Sequence, residues 1–181
     1  MDTHSYYNIL EERLKMNYDI EKNIMIDRLS VDLFAKLEMK HEKHFGPKSA
    51  TVWRIENYEY VFVKSFEKLD NKMLENFQEF LKSAIKQFVK PNGEHMSSTI
   101  TGVMIMDNVP AELEPIIRRF QFRRNFAFSL KGWAEVRLIV VDLHSNRVIS
   151  NKKAKEVASF YLPVIEKKEE KQNKLLFWRK K

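Results

Sequence analysis

Two carboxylates and a lysine stand at a spacing that could hold a divalent cation. Asp27 closes the short apolar run Asn-Ile-Met-Ile-Asp, and Glu38-Met39-Lys40 begins eleven residues further on. Acids on neighbouring strands can share an ion such as magnesium, and an adjacent lysine can orient water or steady a developing negative charge. A rival set pairs Asp107 with Glu135-Val136-Arg137. Its arginine stays charged and cannot trade a proton as lysine does. Asp107 does follow a predicted central strand, where open α/β sheets often place ligands. His41 and His44 would share a face on a helix but not on a strand, and a metal site would need further ligands. Gly46, Gly93, Gly102 and Gly132 are isolated, so there is no glycine-rich phosphate cradle and no nucleophile elbow. The chain has no cysteine, which removes thiolate chemistry and disulfides.

A second signal is the stretch RRFQFRRNFAFSLKGW, residues 118–133, which interleaves arginine with phenylalanine. Read as extended chain, Phe120, Phe122, Phe126, Phe128 and Leu130 share one parity, while Arg119, Gln121, Arg123, Asn125 and Lys131 share the other. That alternation predicts a core-facing strand with Phe126 and Phe128 buried and the arginines in water. The alternative is a nucleic-acid platform, which needs aromatic and basic groups exposed on one surface. A third signal is the basic tail, 166–181. Leu175, Leu176, Phe177 and Trp178 lie beside Arg179, Lys180 and Lys181, a pattern suited to an anionic membrane surface or a partner's groove.

The elements that must position these groups follow from periodicity. Tyr6, Tyr7, Leu10 and Leu14 predict an amphipathic helix over 3–17. Residues 23–27 read as a short strand. Alternation of Leu33, Ala35, Leu37 and Met39 predicts a strand over 31–45, with a helix from Ser30 as the competing reading. Two strands, 51–55 and 59–66, are expected to meet at a tight turn over 56–58. Residues 70–90 form the clearest helix, capped by Asp70 and stopped by Pro91-Asn92-Gly93. Residues 98–106 read as a central strand, Pro110 opens a short helix, and 123–130 with 134–143 form a hairpin around Lys131-Gly132. Asn151 caps a last helix. The whole is an α+β domain over 1–165, a single mixed and largely antiparallel sheet with packed helices, followed by the tail.

The Asp27 and Glu38-Met39-Lys40 pattern resembles the Asp…Glu-x-Lys signature of restriction-endonuclease-like nucleases. The order helix, strands, helix, strand over residues 1–106 is similar to their core. The resemblance implies Asp27 and Glu38 as ligands of magnesium and Lys40 as the catalytic lysine.

Composition sets the remaining bounds. The chain of 181 residues is 44% apolar and 31% charged, enough for one sizeable core. Its net charge of +7 is uneven: residues 1–110 hold 15 basic and 17 acidic side chains, residues 111–181 hold 17 and 8. There is no secretory leader pattern and no apolar run near the roughly 20 residues that span a bilayer. The favoured reading is a cytoplasmic, non-enzymatic binding or accessory protein with no cofactor. A metal-dependent nuclease and a peripheral membrane protein held by its tail are the alternatives, with nucleic acid or an anionic membrane as the partners these would imply.

Overall fold

The computed structural model describes residues 1–44 and 51–163. Chain order begins with α1, Thr3–Leu14, started by the Asp2 carboxylate accepting the Ser5 amide at 2.9 Å. Tyr6, Leu10 and Leu14, four residues apart, are its buried stripe. Then come β1 (Asp19–Ile26), β2 (Leu29–His44), β3 (Thr51–Ser65), α2 (Asn71–Phe88) and β4 (His95–Met106). A 3-10 turn leads into α3 (Glu114–Arg119), followed by β5 (Arg123–Asn125), β6 (Trp133–Asp142) and β7 (Arg147–Ser150).

All seven strands join one sheet in the order β1-β2-β3-β4-β6-β5, with β7 on the same side of β6 as β5. β3–β4 and β4–β6 are parallel and the other pairings antiparallel, the mixed α+β arrangement expected. Helices cover both faces. On one face Phe77 and Leu81 of α2 and Ile117 of α3 pack with Phe34, Phe62, Ile100, Met104 and Val136 of the sheet. The other face buries Leu33, Val61, Val63, Val103, Ile105 and Ile139 against α1 and the turns after β7. Alternation along β3 splits Phe62 from Val61 and Val63 in this way. α2 presses closest at Gly102, where a β-carbon would lie 2.4 Å from a Leu81 methyl and 2.8 Å from the Phe77 ring.

Residues 29–44 are strand, so alternation outweighs the competing helical reading. Asp70 caps α2 as expected, accepting the Met73 amide at 2.7 Å. Three expectations are corrected. No turn breaks β3 at residues 56–58. Its polar residues stay extended because each finds a side-chain partner: Glu56 accepts from the Tyr58 hydroxyl and the Asn92 amide, and Asn57 accepts from Ser97. The stretch after Asn151 forms 3-10 turns at Lys152–Ala154 and Ala158–Tyr161 instead of a helix. The strand over 123–130 is cut to Arg123–Asn125, for reasons given below. The tail residues Leu175, Leu176, Phe177, Trp178, Arg179, Lys180 and Lys181 lie outside the described residues.

Asn151 is wholly buried and fully bonded. Its amide nitrogen donates to the Phe120 and Val136 carbonyls, and its side-chain oxygen accepts the Leu138 and Ala154 amides, all at 3.1 Å. It ties the end of α3, the edge of β6 and the following turn together. Asn151→Ala would leave buried polar groups without partners, so a loss of about 3 kcal/mol is expected in urea denaturation. A loss under about 1 kcal/mol would show that water replaces the side chain at little cost.

Candidate functional site

Asp27 and Glu38 do not meet. Asp27 sits in the β1–β2 turn, at φ 52°, while Ile26 pairs with Leu29. Glu38 lies about nine residues further along β2, roughly 30 Å of extended chain. Asp27 instead borders an open, largely apolar groove of about 1000 Å³ between that turn and α2, lined by Phe66, Met73, Phe77 and Phe80. Glu38 faces Tyr58 across the β2–β3 pair and is bonded to Lys40 at 2.7 Å, with Lys36 at 3.7 Å. The Lys40 ammonium holds the Glu38 carboxyl below its ordinary range, and Glu38 in turn raises Lys40. The acid-x-lysine triplet is thus an exposed ion pair at the root of a two-stranded ribbon, and the pairing of Asp27 and Glu38 on one ion is corrected. Among the described residues no cluster of three His, Cys, Asp or Glu side chains could hold a metal.

The element order of the nuclease resemblance is nevertheless present, as α1, β1 to β3, α2 and β4. Where β2 and β3 bring an acid and a lysine together, the pair is Asp32 and Lys64, at 2.9 Å. Asp32 also accepts the Ser65 amide and hydroxyl. Two residues before Lys64, where a second acid would complete the triplet, stands Phe62, fully buried in the core. A phenyl ring supplies no ligand oxygen.

The rival acids are also held apart. Glu135 pairs with Lys153 at 2.9 Å, and Arg137 with Glu59 at 3.0 Å. Asp107 follows β4 and is exposed, its carbonyl accepting the His144 amide.

The arginine–phenylalanine stretch departs furthest from expectation. After β5 the chain leaves the sheet at Phe126 and closes a loop. Phe126 donates its amide to Gly132, Leu130 to Ala127, Lys131 to Phe126, and Gly132 to Ser129. Ala127, Phe128 and Ser129 are left-handed, at φ 46°, 54° and 71°. Each such residue costs an L-amino acid about 1–2 kcal/mol. The result is to turn Phe128 outward. It is 98% exposed and Leu130 84%, which corrects the expected burial of Phe128; Phe126 alone of the pair packs against the core.

The base of the loop is fixed more firmly than its tip. Gly132 has φ 73°, and a β-carbon there would lie 2.2 Å from the Met96 carbonyl oxygen. Buried His95 bonds the Lys131 carbonyl through Nδ1 at 2.7 Å and Ser98 through Nε2 at 2.9 Å, with its ring edge-to-face on Phe126. Cations ring the base. The Arg123 guanidinium lies over Trp133 at 4.8 Å and that of Arg124 over Phe126 at 5.6 Å. Lys86, from the last turn of α2, shares a depression with Arg124. Among the described residues, no carboxylate is in ion-pair range of Lys86, Arg123, Arg124 or Lys131. The sequence carried a hint of the break: Phe126 to Leu130 contains no β-branched residue, whereas β6 holds three valines and an isoleucine.

The chain belongs to a family described as a domain of unknown function, DUF8052, whose pattern it matches over residues 2–163. No curated protein and no solved structure matches it.

Gly132 makes a direct test of how the loop is seated. Gly132→Ala would place a methyl against the β4 backbone at a left-handed position, so a loss of at least about 2 kcal/mol is expected in thermal or urea denaturation. Gly93→Ala, with open space around it, serves as the neutral reference. Equal stability of the two variants would mean that the loop base is not fixed as described.

Proposed function

We propose that this chain is a non-enzymatic binding or accessory protein whose contact site is the loop 126–132. The observation that carries this reading is Phe128, held almost wholly in water by three consecutive left-handed residues. Folding alone favours the opposite: a buried ring and an unstrained backbone. Strain and exposure concentrated in one loop are the signature of a site kept for contact with something else. The four backbone bonds within the loop mean that its shape is set before any partner arrives, which lowers the ordering cost of binding.

The non-enzymatic part of the reading draws support from Phe62 in the place of a second acid and from the ion-paired state of Glu38. A cytoplasmic setting suits a chain without cysteine, and no described helix is long and apolar enough to cross a membrane.

The reading requires that Phe128 contribute nothing to stability. Phe128→Gly removes the ring and relieves the left-handed strain, offset by glycine's freedom in the unfolded chain. The variant should be as stable as the parent or up to about 1 kcal/mol more stable in urea denaturation. A loss above about 1 kcal/mol would make the loop a structural element and sink the proposal.

A further inference from the structure

We infer that the loop 126–132 is a reversible anchor for an anionic bilayer surface, with Phe128 and Leu130 entering the headgroup–acyl boundary and the surrounding cations meeting lipid phosphates and carboxylates. This rests on the loop being the contact site.

The apolar part of the tip is phenylalanine with leucine, and Met96, 42% exposed, stands at the loop's base. These side chains project from the body instead of lining a groove, so what receives them must yield or be concave. A lipid interface yields everywhere. Bases stack on flat rings, and leucine offers none. A nucleic-acid platform of the sheet type also needs an open sheet face, and both faces here are covered by helices and turns. The charge arrangement points the same way. Lys86, Arg123, Arg124 and Lys131 surround the loop base without carboxylate partners among the described residues. Apolar tips leading and cations one layer behind is the order in which an interfacial anchor meets acyl chains and headgroups. The Arg123 and Arg124 guanidiniums sit over Trp133 and Phe126, and Arg123 Nε also donates to the Asn125 side-chain oxygen at 3.1 Å, contacts that order both groups beside the loop. Four cations and two apolar side chains suit attachment that reverses with salt, not permanent insertion.

The experiment uses the full chain and vesicles of phosphatidylcholine with and without phosphatidylserine. Co-sedimentation is expected with the phosphatidylserine vesicles at low salt, weakening at high salt, and little with phosphatidylcholine alone. The double variant Phe128→Ser with Leu130→Ser should bind at least about tenfold more weakly, given the area each side chain would bury. Arg123→Gln with Arg124→Gln should bind more weakly and lose much of the salt dependence. Phe128→Trp should show blue-shifted emission on phosphatidylserine vesicles relative to buffer. Circular dichroism of each variant confirms folding, which these surface positions leave intact.

Wild-type binding that survives the double serine change would overturn the inference and transfer the contact to another part of the chain, such as Leu175 to Lys181. No binding to either vesicle would overturn it as well. In that case, Phe128-dependent binding of a single-stranded oligonucleotide, or Phe128-dependent self-association in sedimentation velocity, would preserve the loop as the contact site and exclude lipid. The stability of Phe128→Gly separates this failure from failure of the loop reading itself.

Discussion

From Ile100 to Met106 every residue of β4 is buried, and both layers of the protein are built on that strand. A strand with no wet face must be paired on both edges, because its amides and carbonyls have no water to turn to. β3 and β6 supply those edges in parallel register, and parallel pairing requires a crossover on each side. α2 is the first crossover. The second runs through α3 and β5. Gly102 lets α2 lie close enough for Phe77 and Leu81 to touch the sheet, so a missing β-carbon on the most buried strand sets how the helix sits.

The position of the loop follows from the same arrangement. The second crossover must return to the starting end of β6 beside the starting end of β4. There the chain meets the backbone of Met96 and His95 and has little room, which Gly132 answers by lacking a side chain. His95 then fills both of its ring nitrogens, one inward to Ser98 and one outward to the Lys131 carbonyl. The crowded base and the protruding tip are therefore two parts of one solution. Close packing at the base fixes the loop, and the left-handed residues above it direct Phe128 away from the body.

Much of the architecture was legible in the sequence, because period and caps are local signals. The stripe of α2, its Asp70 cap, the central strand and the alternation of β2 all reflect positions that the core repeats in order. The misreadings share one cause. Glu56-Asn57-Tyr58 resembled a turn because polar residues usually stay near water, and partners from residues 92 and 97 lie beyond any local window. Phe126, Phe128 and Leu130 kept the strand period while the backbone had already left the sheet. A two-residue period names a face but not what covers it. Asp27 and Glu38 matched a motif by spacing, but Asp27 lies in the turn before β2 and Glu38 well along that strand.

The edges of the sheet bear on how this protein can meet others. β1 carries a left-handed residue, Asn23 at φ 52°, between the Lys22–Leu33 and Ile24–Val31 pairs, and its register with β2 is unchanged on either side. Along β6, the short strands β5 and β7 occupy the two ends of the outer edge. Between them the Phe122 carbonyl takes the Val136 amide, and the Asn151 side chain takes the Val136 carbonyl and Leu138 amide. Where β2 and β3 run on past their neighbours, Glu38, Lys40 and Arg54 line the ribbon with charge. A strand from another molecule thus finds a left-handed residue, occupied backbone groups or charged side chains at these edges, the features that discourage sheet-to-sheet polymerisation. Recognition by lending an edge, which reads sequence through a ladder of main-chain bonds, is correspondingly disfavoured. A protein so closed can display bare phenylalanine and leucine on a projecting loop without those residues seeding a fibril.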